Sequence, residues 1–547
     1  MPRQFSQSLI PQIELFRANV LLRKQSHGYL KKKGSEILRV LLVYPEYPET
    51  FWSFKHALKF VSKKAAYPPL GLMTVAAMLP EEWEKKLIDM NTDTLRDEDI
   101  TESDYVMISS MDIQLDSAKK VIQRCRELGV KTVAGGPLFT TRPEEFSKVD
   151  HLVLGEAEMT LAPFLHDLEK GQAKHIYRSD GFPDIGTSPI PDWALLDMRK
   201  YSSMNIQYSR GCPYNCEFCD IVLLNGRIPR TKSAEKLTAE MEALYEAGWR
   251  GGVFIVDDNF IGNKTKLKRE ILPAVAEWMK ERNYPFVLNT EVSIDLSDDD
   301  ELMKLMVDAN FGTVFVGIET TEEESLLECG KYQNRNRDLL SSVKKMQQFG
   351  LQVQGGFIVG FDHDKPSVFR NMIDFIQKSG IVTAMVGVLT APTGTRLFLR
   401  LKEENRIASE FSGNNTSILT NIVPKMGLKN LEDGYYEILK SIYAPKPYRQ
   451  RVITFLKNYK PNTPRHVRPL SDSLKAFLKS LWVLGIREKG RIHYWLLLLW
   501  TAFFKPSLFP LSVEFAIYGY HFRKSLSFGL FGESGSVPPS HAERDSE

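Results

Sequence analysis

The sequence predicts an α/β protein: a doubly wound parallel sheet, then a partial (β/α)6 barrel, then a mainly helical extension. Three observations predict it. Short apolar runs alternate with helical patterns across residues 39–170 and again across 201–405, the mark of parallel strands joined by crossover helices. Three cysteines fall within eight residues directly behind the first strand of the second block. Residues 406–530 then carry apolar, aromatic and basic side chains at helical spacing. The composition suits this reading: 547 residues, 43% hydrophobic and 25% charged, are too apolar for a disordered chain and long enough for about three or four domains. A net charge of +3 argues against a bulk nucleic-acid binder.

Residues 1–38 read as a basic leader without the continuous apolar core of a signal peptide. In the first unit, Leu38 to Tyr44, Tyr105 to Ser110, Lys131 to Pro137 and His151 to Glu156 read as buried strands, with helical patterns at Leu70 to Leu79 and Leu115 to Leu128 between them. Ligands of such sheets sit beyond the carboxyl ends of the strands. Those ends carry Pro45, Ser109, Ser110, Gly135, Gly136, Gly155 and Glu156, and glycine there lets backbone approach a large ligand closely. No GxGxxG follows the first strand, so the dinucleotide reading is weak. Residues 171–200 read as a linker.

The second unit opens on Arg210-Gly211-Cys212-Pro213-Tyr214-Asn215-Cys216-Glu217-Phe218-Cys219-Asp220. A zinc site calls for a fourth Cys or His, and none is close. Three thiolates on one loop can instead hold three irons of a [4Fe–4S] cluster and leave the fourth open. Further strands are expected at Gly252 to Phe260, Phe286 to Glu291, Thr313 to Thr320, Gly355 to Phe361 and Ala384 to Thr390. With the strand before the cysteines they make six, and the active site of such a barrel lies at the carboxyl ends. Cys329 has no ligand spacing to the trio and reads as a buried thiol. With five cysteines in all and no secretory signal, a disulfide framework is not expected, and a cytoplasmic location is.

The cysteine motif resembles that of the radical S-adenosylmethionine (SAM) superfamily. The resemblance implies that Cys212, Cys216 and Cys219 hold the cluster and that Phe218 lies beside it. It places Asp257, Asp258 and Asn259 near the SAM amino group, Glu319 near the ribose, and Ile358 and Gly360 beside adenine, with Glu291 facing the barrel mouth. An α/β unit placed directly before the barrel, with Tyr67-Pro68-Pro69-Leu70-Gly71-Leu72, Gly135-Gly136-Pro137 and Gly155-Glu156-Ala157-Glu158 in that order, resembles the cobalamin-dependent branch. Pro69, Ser109, Gly135, Gly136, Pro137, Gly155 and Glu156 are the cobalamin contacts this implies. The stretches Tyr436 to Leu456 and Pro464-Arg465-His466 look like the extension of a subgroup that includes hopanoid C-2 methylases. One departure stands out: the loop after the first strand, Pro45-Glu46-Tyr47-Pro48-Glu49, lacks the Asp-x-His-x-x-Gly that supplies a lower cobalt ligand elsewhere, and His56 is not expected to replace it. Two readings stay open, cobalamin bound without a protein histidine or a scaffold that has lost it.

The implied reaction is methylation of an unactivated carbon, in which a radical made from SAM activates the C–H bond and cobalamin passes on the methyl group. The implied partners are a lipid-like small molecule and a low-potential donor such as ferredoxin or flavodoxin. The alternatives are a radical SAM lipid cyclase or carbon–carbon coupling enzyme, and a non-catalytic cobalamin or iron–sulfur sensor. A methylthiotransferase would carry more cysteines in the first unit, where Cys125 stands alone. Residues 441–530 hold fifteen Lys/Arg against three Asp/Glu, interleaved with aromatics, which suits peripheral contact with a membrane as well as a solvated helical face. The Ser/Pro/Gly-rich end, 531–547, reads as disordered.

Overall fold

The computed structural model describes residues 37–414, 418–461 and 470–531. Nearly all of the leader at 1–38 and of the tail at 531–547 lies outside them, as does Pro464-Arg465-His466.

The first sheet is wholly parallel. Its strands are β1 (Arg39–Tyr44), β2 (Glu84–Asp89), β3 (Tyr105–Ser109), β4 (Lys131–Gly135), β5 (His151–Val153) and β6 (Ile176–Tyr177), in the order β2-β1-β3-β4-β5-β6. Alternate residues of β1 serve opposite faces: Leu41 and Val43 meet the helix Leu115–Glu127, and Val40 and Leu42 meet the helices Leu70–Met78 and Ala157–Glu169. A strand buried on both faces reads as an unbroken apolar run, which is why β1 is plain in the sequence. β2 begins Glu84-Lys85-Lys86 and is buried only at its last two residues, as befits an edge. β6 is a two-residue edge strand inside the stretch read as a linker, so the sheet extends past residue 170.

The second sheet has six parallel strands: β7 (Ser203–Ile206), β10 (Gly251–Ile255), β11 (Phe286–Val292), β12 (Phe311–Glu319), β13 (Gln352–Val359) and β14 (Ala384–Val388), in the order β14-β13-β12-β11-β10-β7. A two-stranded hairpin, β8 (Ser209–Arg210) with β9 (Arg230–Thr231), brackets the cysteine loop. The sheet curls into a half-barrel whose edge strands β7 and β14 are not paired with each other. Residues of β10 and β11 alternate in burial along the whole strand. Val253, Leu288, Val314 and Val353 are buried under the outer helices, whereas Phe254, Asn289, Glu291, Phe315 and Met385 are half-buried on the inner side.

The C-terminal helices Leu428–Tyr443, Pro445–Asn458, Leu470–Trp482, Arg491–Phe504 and Phe509–Phe531 share one apolar core with the half-barrel. Tyr443 Oη donates to the Ala384 carbonyl at 2.7 Å. The fully buried Arg451 donates to the carbonyls of Ile442 (2.8 Å) and Val382 (3.2 Å) and lies over the rings of Tyr443 and Tyr448. No helix among the described residues is long and apolar enough to cross a membrane.

The loop after β1 behaves unexpectedly. Residues 51–61 leave the first sheet and join the half-barrel core. Phe51 stacks on Phe522 with ring centroids 4.3 Å apart, His521 Nε2 donates to the Phe51 carbonyl, and Trp52 meets Phe315 edge-on at 5.5 Å. His56 pairs with Glu49 and packs on Tyr520 and His521.

Candidate active site between the two sheets

The cysteine loop springs from the carboxyl end of β7 and is held from several sides. Gly211, with φ of +96°, lies so close to the carbonyls of Asn225, Gly226 and Ile228 that a Cβ would come within 2.9–3.0 Å of all three. Its N–H donates to Asp258 Oδ2 (2.9 Å), which also accepts from Asn225 Nδ2 (3.0 Å). Asp257 accepts from the Tyr208 N–H (2.8 Å) and the Ser209 hydroxyl (2.6 Å), and burial pushes its pKa up to about 7. Asn259 is tied to Ser293 at the end of β11. The three strand-end residues expected beside the SAM amino group therefore act here as braces of the loop and the neighbouring strand end. Asp257 and Asn259 are buried. Behind the loop, the Glu217 N–H donates to the Cys329 carbonyl (2.8 Å), and its carboxylate takes both arms of Arg400 at 2.8 and 3.1 Å. Burial raises all three thiols above their ordinary pKa.

Among the described residues no three His, Cys, Asp or Glu side chains gather as ligands of a single ion. A cluster makes a different demand, because each thiolate takes a separate iron. Glu319 ends β12 with φ of +62°, an uncommon backbone for a side-chain-bearing residue and one that clusters at functional sites. It accepts from Lys331 Nζ at 2.7 Å. That ammonium, whose pKa rises beside Glu319 and Cys216 despite burial, lies near enough to Cys216 to oppose the rise in its thiol pKa. The sequence reading missed Lys331, which belongs to no motif. Phe218 packs with Ile358 and Phe361 in a small apolar cluster around the buried Cys329. Gly360 has φ of +107°, and its N–H donates to Asp364 at 2.8 Å.

Glu291 projects into the mouth and has neither a hydrogen bond nor an ion pair among the described residues. Burial, reinforced by the charges of Asp258 and Glu319, pushes its pKa up to about 8. A carboxyl whose folded pKa lies above its unfolded value stabilises below the unfolded pKa and loses that contribution as pH rises through the folded one. Glu291 is therefore expected to contribute a falling stability of the cofactor-free protein between pH 5 and 8, and Glu291→Gln to remove up to about one proton's worth of that slope. Urea midpoints of both proteins across this range check it; parallel curves would show that Glu291 does not titrate as stated.

Where the two sheets meet, four part-buried charges interlock. Glu156 accepts from Arg210 and, at 2.5 and 3.0 Å, from Arg230; Glu158 accepts from Arg210 at 2.9 and 3.1 Å. Arg230 also reaches the carbonyls of Pro183 and Asn225. Glu156, expected as a cobalamin contact, is thus a strut between the two units. Pro69 is buried at the start of the helix Leu70–Met78, next to Pro68, whose carbonyl accepts from Asn205 Nδ2 of β7 at 3.1 Å. Tyr67 leans over the half-barrel and meets Phe254, ring centroids 5.3 Å apart.

Three family descriptions match the chain: a B12 binding domain over residues 61–165, the Radical SAM superfamily over 206–376, and a domain of unknown function (DUF4070) over 395–527. An uncharacterized methyltransferase of Synechocystis sp. is 40% identical over 89% of this chain and 91% of its own length. A hopanoid C-2 methylase of Rhodopseudomonas palustris is 30% identical over 85% of this chain and 89% of its own. The chain belongs to the cobalamin-binding radical SAM family. The fold is shared with solved members of that family. OxsB, a cobalamin-dependent radical SAM enzyme solved with aqua-cobalamin and SAM, superposes with a TM-score of 0.57 at 14% identity, covering 94% of this chain and 85% of OxsB. TsrM of Kitasatospora setae, a methyltransferase solved with cobalamin and a [4Fe–4S] cluster, gives 0.53 at 15% identity, covering 90% and 100%.

This radical SAM methyltransferase uses a [4Fe–4S] cluster, SAM and cobalamin, and the residues present fit them. On the cobalamin side, glycines stand at the carboxyl ends of β4 and β5. A Cβ on Gly135 would strike the Val153 carbonyl at 2.6 Å, and one on Gly136 (φ +90°) would strike Ser109 Oγ at 2.6 Å. Gly155 (φ +78°) has open space where a side chain would go, and Pro137 beside it is exposed. Ser110 Oγ is buried there without a hydrogen-bond partner, a vacancy a polar ligand group can fill. On the SAM side, Gly317 and Gly356 keep the inner wall of the half-barrel low, and Glu291 stands unpaired above them. His56, committed to Glu49 and surrounded by aromatic rings, is not placed to ligate cobalt.

Proposed function

We propose that this methyltransferase adds a methyl group to an unactivated carbon of a lipid-like substrate, a polycyclic terpenoid of the hopanoid kind. The observation that carries the reading is the inner wall of the half-barrel. Phe254, Phe315 and Met385 project from β10, β12 and β14, and Tyr67 and Trp52 close over them from the first unit. Binding cavities of this kind grip apolar ligands through aromatic surface and orient them with few polar groups. Here Asn289 and Glu291 of β11 are those groups. The 30% identical relative named as a hopanoid C-2 methylase supports the same substrate class.

When bound, the cluster and SAM supply a hydrogen-abstracting 5′-deoxyadenosyl radical, and cobalamin supplies the methyl group. The chain's own residues orient and enclose. Cys212, Cys216 and Cys219 would hold the cluster at the top of β7. Glu319 and Lys331 form a buried polar pair beside Cys216, within reach of a ribose or a carboxylate. Ile358 and Phe218 offer an apolar flank for a flat ring. Glu291, whose pKa burial raises, can in its protonated form donate a hydrogen bond without placing a charge against apolar substrate. Ser109, Gly135, Gly136, Pro137 and Gly155 form the rim that cobalamin would cross. The Arg210–Glu156–Arg230 strut keeps the two rims facing each other. A ferredoxin or flavodoxin would deliver the electron.

The test is an anaerobic assay on protein reconstituted with iron, sulfide and cobalamin, supplied with SAM, a strong reductant and hopanoids of defined structure. 5′-Deoxyadenosine and S-adenosylhomocysteine are expected to rise together with a hopanoid heavier by one methyl group. Deoxyadenosine rising alone, with an altered but unmethylated lipid, would favour cyclisation or carbon–carbon coupling. Both nucleosides rising only with a polar substrate would remove the lipid assignment.

A further inference from the structure

We propose that the helices Leu470–Trp482 and Arg491–Phe504 form a ledge that seats this protein on an anionic lipid bilayer. This deepens the reading above by naming the surface from which a lipid substrate would be drawn, and it rests on that reading only for its purpose.

Ten large apolar side chains between Leu474 and Phe504 are exposed. They are not scattered. Leu474, Leu478 and Trp482 recur every four residues along the first helix, and Ile486 continues the row through the π turn Val483–Arg487. On the second helix Ile492, Leu496, Leu499 and Phe503 recur at three or four, so each set forms one stripe. The opposite faces of both helices turn to the protein core, through Phe477 and Leu481 of the first and Tyr494, Leu497 and Leu498 of the second. Both stripes therefore point away from the same core. The helices are locked together: the Ser480 and Tyr494 hydroxyls bond at 2.8 Å, and Trp495 Nε1 donates to the Gly485 carbonyl at 3.0 Å. Phe503 and Phe504, 80% and 68% exposed, project where the second helix ends.

An exposed apolar patch of this size marks an interaction site, and charge selects the occupant. Lys475, Lys479, Arg487, Lys489 and Arg491 are exposed along the two stripes. The sole acid between Leu474 and Phe504, Glu488, is paired with Lys524 at 3.2 Å. Apolar and aromatic side chains flanked by cations match the interface of a bilayer with anionic headgroups. The ledge is also joined to the proposed cavity. Lys479 Nζ donates to the Lys59 carbonyl, so the first helix rests on the 51–61 segment, whose Trp52 meets Phe315 inside the half-barrel.

The experiment is sedimentation of the full chain with vesicles of phosphatidylcholine alone and of phosphatidylcholine mixed with phosphatidylglycerol, without SAM or reductant. Binding is expected to the mixed vesicles and to weaken as salt is raised. Phe503→Ser with Phe504→Ser should lower the partition coefficient by about tenfold or more. Lys489→Glu with Arg491→Glu should lower it by about tenfold on the anionic vesicles only. All four positions are exposed, so circular dichroism should be unchanged. Absence of binding to the mixed vesicles, or binding that neither pair alters, overturns the proposal. So does a dimer in solution that Phe503→Ser with Phe504→Ser dissociates, because a second copy would then be what covers the ledge. The assay involves no turnover, so vesicle binding can hold while hopanoid methylation fails, and the reverse.

Discussion

A Cys216→Ala chain is expected to bind no stable cluster and to release 5′-deoxyadenosine only at the level of a control without reductant. Cys216 is the most enclosed of the three thiols by exposed surface and the one beside the Lys331 ammonium. Two remaining thiolates cannot hold the cluster that three hold with one iron left open. The fold should survive, because the loop does not depend on the sulfur for its shape. Asp258 holds its entry, the Cys329 carbonyl and Arg400 hold Glu217, and the Cys219 N–H donates to the Cys216 carbonyl. Iron content, the visible absorbance of the cluster and deoxyadenosine should fall together while the far-ultraviolet spectrum stays unchanged. Retention of iron and deoxyadenosine by this variant would show that the cluster is held elsewhere.

The second large effect concerns stability. Glu156→Ala leaves the Arg210 and Arg230 guanidinium groups part-buried beside one fewer carboxylate, with side-chain exposures of 15% and 16%. Breaking one partner of a fully buried ion pair costs about 3–5 kcal/mol, an upper bound for these part-buried groups. Arg210 keeps Glu158, whereas Arg230 keeps the Pro183 and Asn225 carbonyls and the Phe182 ring but no carboxylate ion pair among the described residues. The loss should therefore loosen the seam between the two sheets before it unfolds either. A lower urea midpoint, together with faster proteolytic cleavage within residues 178–200, is the expected result. An unchanged midpoint and cleavage rate would show that the strut is dispensable.

The strut also shows where the sequence stops being legible. The cysteine loop could be read because its chemistry is local: three sulfurs within eight residues on a tight turn. A strand buried on both faces, such as β1, announces itself as an apolar run. β2 does not, since half of its residues face water at an edge, and β6 is too short to carry a pattern. Asp257 and Asn259 were legible as a polar strand end but not as braces. A carboxylate or amide at such a position can face a ligand or its neighbour's backbone, and only the path of the next strand decides. Glu156 was visible as an acid at a strand end. Its partner Arg210 lies 54 residues further on, in the other unit. Lys331 follows a short helix, Glu323–Glu328, and matches no motif, so nothing local marked it. The 51–61 segment looked like an ordinary loop of the first sheet because its aromatic partners sit at the opposite end of the chain.

That last pairing has a consequence for how the protein is made. Phe51 and the His521 that caps its carbonyl are 470 positions apart. At roughly 5–20 residues per second, the ribosome needs on the order of half a minute or more to deliver the partner. Through that interval the first sheet can close, since all of its strands lie before residue 178. Phe51, Trp52, Phe54 and Phe60 meanwhile remain without the helix that will cover them. Chain completion, rather than closure of the first sheet, is thus the event that ends their exposure. A nascent chain arrested before residue 509 should present a sticky aromatic segment to chaperones, and completion of the final helix should bury it.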